Sequence, residues 1–146
     1  METVESSVIV ESPVAPVYER WERMEDFPDF MEGLTEVKRI DGRQFSWEWE
    51  LGGHCAQSVS EITLQIPHQR IAWRSLSGME NSGVVIFHEM TPGQTQVTLQ
   101  MKYAPYGAWD NAQAVTARIQ RNLEQFKALM ETSIVGEIVD KNARGF

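Results

Sequence analysis

The chain has 146 residues, of which 42% are hydrophobic and 23% charged, a composition typical of one globular domain with a substantial core. Its formal net charge is -8, so the average surface field repels phosphate backbones and anionic lipids and argues against nucleic-acid or membrane partners. A single cysteine, Cys55, excludes an intramolecular disulfide, and the N-terminal residues lack the features of a signal peptide. No apolar run approaches the roughly 20 residues that cross a bilayer. These features predict a cytoplasmic protein without membrane insertion.

The N-terminal segment predicts one strand followed by two short helices. Thr3 to Val10 alternates small or apolar residues with polar ones, the pattern of a half-buried strand. Ser12-Pro13 is typical of a helix start, with serine as the N-cap and proline in the first turn. Apolar residues then recur at helical spacing up to Met24. A second helical turn is expected from Asp26, as its cap, to Met31.

The central segment, Thr35 to Tyr103, changes to a period of two and predicts an antiparallel meander. Asp41-Gly42 and Pro92-Gly93 are expected to form tight hairpin turns. The stretch from Ser77 to Gly83 is interpreted as a looser polar connection. One strand, Arg43 to Leu51, alternates with particular regularity and places three aromatic side chains on one face, those of Phe45, Trp47 and Trp49.

A long helix is predicted from Ala112 to Met130, opened by a capping box of Asp110 and Gln113. Its apolar residues recur every three or four positions as one stripe, which must cover a face of the sheet, while Arg118 and other charged residues lie outside that stripe. Beyond Thr132 the pattern weakens. We therefore predict one domain over residues 1–132 and a C-terminal tail over residues 133–146.

Seven short phrases follow one another along the sequence. They are Val17-Tyr18-Glu19-Arg20-Trp21, Asp26-Phe27-Pro28-Asp29-Phe30-Met31, Glu61-Ile62, Arg70-Ile71-Ala72-Trp73-Arg74-Ser75, Gly83-Val84-Val85-Ile86-Phe87, Thr95-Gln96-Val97-Thr98-Leu99 and Leu123-Glu124-Gln125-Phe126-Lys127. In this order they resemble the bacterial polyketide cyclase/dehydrase-type branch of the START-like (SRPBCC) superfamily. The resemblance extends from Val4 to Glu131.

The resemblance implies an α+β helix-grip fold, in which a curved antiparallel sheet wraps around the long C-terminal helix, with two short helices after the first strand. Members of this superfamily are implied to bind apolar ligands, and only some catalyse cyclisation or dehydration. The predicted function is therefore the binding of a small hydrophobic molecule (a lipid, a polyketide or an aromatic metabolite) between sheet and helix. A polyketide cyclase or dehydratase is the alternative, and an adaptor that docks a protein partner is a third hypothesis.

The aromatic strand face and neighbouring apolar positions offer more large apolar surface than one helix stripe covers, which indicates a hollow. Ordinary core packing is the competing interpretation for each residue by itself. The predicted ligand-binding residues are Phe30, Trp47, Trp49, Trp73, Phe87, Leu99, Met101, Tyr103, Ile119 and Leu123.

Four polar residues are candidates for catalysis because they lie on or near that face: His88, Ser75, Arg74 and Tyr103. None has a recognisable partner spacing, and a structural histidine is the favoured interpretation of His88. The three histidines and Cys55 show no metal-ligand spacing, and no dinucleotide signature is present. No metal and no cofactor are therefore predicted. The sequence does not indicate an oligomeric state.

Overall fold

The computed structural model describes residues 2–51, 53–78, 80–104 and 112–144, with the side chains at 51, 54, 112 and 132–144 left out. Two helices, a 3-10 helix and seven strands make up this part of the chain. In order they are β1 Glu2–Val10, α1 Val14–Glu22, the 3-10 helix Met24–Asp29, β2 Leu34–Arg39, β3 Gln44–Leu51, β4 His54–Ile66, β5 Arg70–Gly78, β6 Asn81–Thr91, β7 Gln94–Tyr103 and α2 Ala112–Arg144.

The seven strands form an antiparallel sheet in the order β1-β7-β6-β5-β4-β3-β2. From β2 to β7 each strand pairs with the next strand in the sequence, as in a meander. The first strand instead joins the far edge by pairing with β7, where Val4 faces Met101 and Val10 faces Thr95. This architecture confirms the predicted α+β fold, with two short helical segments between the first strand and the meander.

The sheet is curved around α2, and irregular pairing of β4 with β5 contributes to the bend. The β4–β5 register shifts between Val59 and Ser60 and again between Ile62 and Leu64. Such bulges bend a strand and increase its twist. Ser60 and Ile62 are buried on the concave face, whereas Leu64, beyond the second shift, is 41% exposed. The second bulge therefore ends the concave face of β4.

The apolar stripe of α2 lies against the concave face of the sheet. Five of its residues are at most 7% exposed: Val115, Ile119, Leu123, Phe126 and Met130. The prediction of a long amphipathic helix is confirmed in this part. The helical backbone continues beyond Thr132 to Arg144, further than the sequence pattern indicates, and the division into residues 1–132 and 133–146 stays a prediction.

Hydrogen bonds attach one flank of α2 to the edge strand β1. Lys127 Nζ donates to the backbone oxygen of Ile9 (2.7 Å), and the backbone N–H of Glu11 donates to Glu131 Oε2 (3.0 Å). Lys127 and Glu131 also form an ion pair with each other at 2.5 Å. These contacts fix the helix at the end of β1.

The other flank of α2 is attached to the segment between the 3-10 helix and β2. The backbone N–H of Glu32 donates to Asn122 Oδ1 (2.9 Å), and the Glu32 carboxylate pairs with Arg121 Nε (2.9 Å). Gly33 follows with a φ of 84°, a left-handed conformation that glycine adopts at little cost. The helix is therefore held from both sides above the sheet.

Two predicted helix caps are wrong. Helix α1 begins at Val14 with Pro13 in the N-cap position and no side-chain cap. The hydroxyl of the buried Ser12 donates to the backbone oxygen of Pro13 (3.3 Å), and the backbone oxygen of Ser12 accepts from Thr95 Oγ1 (2.9 Å). The 3-10 helix begins at Met24, not at Asp26. The Asp26 carboxylate instead pairs with Arg20 Nη1 (2.9 Å), so a tertiary contact replaces the predicted cap.

The predicted loose connection from Ser77 to Gly83 is also wrong, because β5 continues to Gly78 and β6 begins at Asn81. The polar residues there belong to strands whose backbones are paired, for example Ser82 with Arg74. The predicted cap at Asp110 lies outside the described residues.

Gly83 provides the space in which the indole of Trp73 lies. The two residues face each other in the β5–β6 ladder. A Cβ at position 83 would lie 2.6 Å from Trp73 Cη2 and 2.5 Å from the backbone oxygen of Gln100. Since real Cβ atoms do not approach so closely, a larger residue must displace the indole or the strand.

We expect Gly83→Ala to lower the free energy of unfolding by about 1–3 kcal/mol, the usual effect of overpacking. Urea unfolding measures this loss, and a changed tryptophan emission would report the displaced ring. Gly93→Ala is the matched control, since nothing lies within 4 Å of its added Cβ, and its effect should stay within about 0.5 kcal/mol. Equal stability of Gly83→Ala and wild type would contradict this account.

The attachment of α2 to β1 should depend on pH through Glu131. Burial raises the pKa of this carboxyl, but the hydrogen bonds from Lys127 and from the backbone of Glu11 outweigh burial, so the pKa lies below its ordinary value of 4.5. A carboxyl whose pKa is depressed by folding stabilises the fold above the unfolded pKa, and that stabilisation is lost as the pH falls through the folded pKa.

At pH 7 we expect Glu131→Gln to be less stable than wild type by about 0.5 kcal/mol, the scale of a partly exposed ion pair. The difference should shrink as the pH falls below 4.5, because the wild-type carboxyl then becomes neutral too. Urea midpoints across a pH series measure it, with the exposed Glu19→Gln as control. A difference that does not vary with pH would refute the assignment.

Candidate functional site

A cavity of about 130 Å³ lies between the concave face of the sheet and the N-terminal half of α2. For scale, an apolar cavity of about 150 Å³ in another protein accommodates benzene. The space is therefore that of one small ring. Its apolar wall comes from α1, the 3-10 helix, β3, β5, β7 and α2, through Trp21, Met24, Phe27, Trp47, Trp49, Ile71, Trp73, Leu99, Met101, Val115, Ile119 and Leu123.

The cavity ends where aromatic rings fill the space beneath α2. The ring of Phe126 lies 5.1 Å from the rings of both Trp21 and Phe30, measured between centroids. Trp21 and Phe27 are a further contact at 5.3 Å. These edge-to-face and tilted contacts are favourable beyond the area they bury. Around Phe126 the helix therefore rests on a closely packed aromatic cluster.

Smaller side chains meet beneath the N-terminal half of the helix, and this is where the space opens. Val115 and Ile119 of α2 line the cavity together with Ser58 and Ser60 of β4. The two serines are 4% and 3% exposed. Hydrogen bonds and aromatic rings further along α2 hold the helix away from the sheet. The side chains that meet here are too short to fill the space between them, so a cavity remains.

Three indoles form much of the cavity wall. Trp47 and Trp49 are nearly parallel, with an interplanar angle of 13° and centroids 6.3 Å apart. Trp73 is oriented by a hydrogen bond from its Nε1 to Asn81 Oδ1 (2.8 Å) and by the space above Gly83. Rings positioned in this way present flat apolar surfaces to whatever occupies the cavity.

Eight of the ten predicted ligand-binding residues line this cavity: Trp47, Trp49, Trp73, Leu99, Met101, Tyr103, Ile119 and Leu123. The other two, Phe30 and Phe87, belong to the core beside it. Phe30 packs against Phe27 and Phe126, and Phe87 packs against Tyr18 and Trp21. Contact of any of these residues with a ligand stays a prediction.

The four catalytic candidates do not converge on the cavity. Only Tyr103, which is 4% exposed, lines it. His88 is exposed on β6, and Arg74 is exposed with its guanidinium 3.8 Å from the carboxylate of Glu61. Ser75 lies opposite Ser60 in the β4–β5 ladder, but its Oγ accepts the backbone N–H of Asn81 (2.9 Å).

Sequence reasoning missed the other polar residues of the cavity wall, which are Ser58, Ser60, Glu80, Asn81, Arg118 and Asn122. The sequence does indicate the position of the serines, because Ser58 and Ser60 are two and four residues before the buried Ile62 and therefore lie on the same face of the strand. Arg118, assigned to the outer surface of the helix, lies at the edge of the apolar stripe and reaches the wall.

The described parts of the chain contain no cluster of three or more histidine, cysteine, aspartate or glutamate side chains arranged to hold a metal ion. Cys55 is a free, exposed thiol. Among the helices in the described residues, none is both long and apolar enough to span a membrane.

The chain is similar to known proteins over most of its length. Residues 10–127 match the family model for polyketide cyclase / dehydrase and lipid transport proteins. A protein of Streptomyces lincolnensis, described as an uncharacterized 17.2 kDa protein in the melC2-rnhH intergenic region, is 34% identical over 136 residues, which is 90% of this chain and 91% of that protein.

Two solved structures share the fold. The Zhui aromatase/cyclase of Streptomyces sp. R1128 superposes with a TM-score of 0.75 at 18% identity, covering 91% of this chain and 95% of that one. A START superfamily protein of Mycobacterium smegmatis gives a TM-score of 0.71 at 11% identity, covering 92% and 97%. These superpositions confirm the predicted helix-grip fold. The family model confirms the predicted resemblance to polyketide cyclases and dehydrases, and the chain belongs to the polyketide cyclase/dehydrase and lipid transport family.

Proposed function

We propose that this protein binds a small hydrophobic molecule in the cavity between its sheet and α2. The observation that carries the proposal is the partly open cavity of about 130 Å³ with indole and aliphatic walls. Ligand sites are typically concave and mostly apolar, with a few polar groups that fix orientation. The family, which includes lipid transport proteins, supports the same interpretation.

The size and chemistry of the cavity favour a ligand built around one ring. Burial of apolar surface contributes roughly 25 cal/mol per Å², and small ligands gain at most about 1.5 kcal/mol per non-hydrogen atom. Dissociation constants between roughly 10 μM and 1 mM are therefore expected for single-ring probes. Parallel Trp47 and Trp49 rings favour a flat molecule over a branched one.

We also infer a cytoplasmic location. The basis is the composition: the only cysteine of the sequence is Cys55, which is exposed and free. Proteins of oxidising compartments commonly use disulfides. A small metabolite present inside the cell is accordingly the ligand class to test first.

Filling the cavity should abolish binding. Val115 is 1% exposed and lines the cavity, so Val115→Phe places a ring where the ligand would lie. We expect at least tenfold weaker binding of toluene, measured by titration of tryptophan fluorescence and by the shift in melting temperature that a bound ligand causes.

The matched control is Gln113→Phe, which adds the same ring at an exposed position of α2 and should bind toluene as wild type does. Absence of binding by wild type, or equal binding by Val115→Phe, would count against the proposal.

A polyketide cyclase or dehydratase is the second candidate, and the buried Tyr103 on the cavity wall favours it. An aldol cyclisation forms one carbon–carbon bond, and dehydration then releases water, without oxidation or reduction. In this hypothesis the Tyr103 hydroxyl donates a proton to the carbonyl oxygen under attack, and the proton released from the attacking α-carbon restores the phenol. The cavity walls hold the chain in a reactive conformation. A chain of several ketide units needs more space than 130 Å³, which is why binding of a smaller molecule is proposed first.

If the protein is a cyclase, Tyr103→Phe should lower kcat by roughly 10²–10⁴-fold, the usual contribution of a general acid, with little effect on KM. His88→Ala serves as control, because His88 is exposed on β6 and its replacement should leave turnover unchanged. Chromatography of products from a linear poly-β-ketothioester measures both. Turnover that survives Tyr103→Phe would exclude this role, and the lack of any turnover by wild type would exclude the enzyme.

A further inference from the structure

We propose that the ligand carries a neutral oxygen, as in a phenol or an aryl ketone, and that this oxygen is bound by a polar patch consisting of Trp47 Nε1, Ser58 Oγ and Ser60 Oγ. The inference rests on the proposed function, since it specifies which hydrophobic molecules the cavity selects. It begins from polar groups of residues that line the cavity, for which the described part of the chain offers no hydrogen-bond partner.

The two serines are buried residues of the cavity wall. Ser58 is 4% exposed and Ser60 is 3% exposed, and both line the cavity. Within the described residues, neither hydroxyl has a hydrogen bond to another protein group. Each serine nevertheless occupies a position on the concave face where an apolar side chain would pack.

Trp47 adds a third group at the same place. Its Nε1 is buried and has no hydrogen-bond partner among the residues that the structure describes. Trp47 lies directly opposite Ser58 in the β3–β4 ladder, and Phe45 lies opposite Ser60. Side chains opposite each other in an antiparallel pair have Cβ atoms only about 4.5–5.5 Å apart, so Trp47 and the two serines are neighbouring residues of the cavity wall.

Leaving a buried donor or acceptor such as Trp47 Nε1 unsatisfied is unfavourable, because the group has lost its hydrogen bond to water and gained none in return. Each unsatisfied group in a native fold therefore requires a physical explanation, of which a ligand or an ordered water is the usual one. Water in an otherwise apolar cavity is readily displaced by a ligand that reproduces its hydrogen bonds. A ligand that has a polar atom at this position should therefore bind more tightly than one that has none.

The chemistry of the patch defines that atom. An indole N–H only donates, whereas a serine hydroxyl both donates and accepts. All three groups are uncharged, so the patch offers no counter-charge to a carboxylate or a phosphate, whose burial would then be very unfavourable. A phenolic or carbonyl oxygen satisfies the donors, and the surrounding indoles hold the ring that bears it.

The test compares phenol with toluene, which have the same size and differ by a hydroxyl in place of a methyl group. The variants are Ser58→Ala/Ser60→Ala and Trp47→Phe, which remove the polar atoms and keep most of the apolar wall. We expect the ratio of the toluene Kd to the phenol Kd to fall at least tenfold from wild type to either variant. Toluene should bind all three proteins within about threefold.

Ser46→Ala is the matched control, since Ser46 alternates with Trp47 on β3 and its side chain is on the opposite face. It should keep the wild-type ratio. The double serine variant should also unfold at the same urea concentration as wild type or a higher one, because it loses no protein hydrogen bond. A clearly lower midpoint would show that the serines hold the fold together and would overturn the proposal.

The two proposals fail in different ways. If wild type binds neither probe, the cavity is not a ligand site, and the proposed function fails together with this inference. If toluene binds wild type and the ratio is the same in wild type and both variants, the hydrophobic site stands and the polar patch is refuted.

Discussion

The arrangement of the cavity depends on the height at which α2 is held above the sheet. Lys127 and Glu131 attach one flank of the helix to β1, and Asn122 attaches the other to the segment before β2. Phe126 rests on Trp21 and Phe30, and a layer of rings is thick. The hydrogen bonds and the rings together fix the distance between helix and sheet from Asn122 to Glu131. Because a helix is rigid, the preceding turns from Val115 onwards are held at a similar distance.

Given that distance, the size of the facing side chains decides whether the space is filled. Large rings fill it beneath Phe126, whereas Val115 and Ile119 share the remaining space with Ser58 and Ser60. Serine on a concave strand face removes apolar volume and adds a polar group, two changes that a solid core would exclude. Both changes are compatible with a site in which a bound ligand fills the space left in the core. A ligand that binds only the folded protein raises its stability.

Much of the fold could be predicted because strand and helix periods report which residues face the core. The stripe from Val115 to Met130 and the aromatic face of β3 are examples. Caps were less predictable, since burial of Ser12 and the pairing of Arg20 with Asp26 are tertiary effects. Alternation also indicates that His88 and Phe87 face opposite sides of β6, a point that consideration of residue type alone overlooked. A cavity volume, by contrast, follows from the spacing of whole elements and not from a local pattern.

Binding and cyclisation would place different demands on this one cavity. A carrier needs apolar walls and enough polar contact to recognise its ligand, which the indoles and the neutral patch on β3 and β4 provide. A cyclase needs, in addition, a group that moves a proton where the reacting carbonyl lies, and Tyr103 on β7 is the buried phenol on the cavity wall that is available for that step.

In the sheet, β7 and β4 are separated by β6 and β5. Tyr103 and the two serines nevertheless line the same cavity of about 130 Å³, in which a single ring fits and a chain of several ketide units does not. Ligand length is thus the property that separates the two functions.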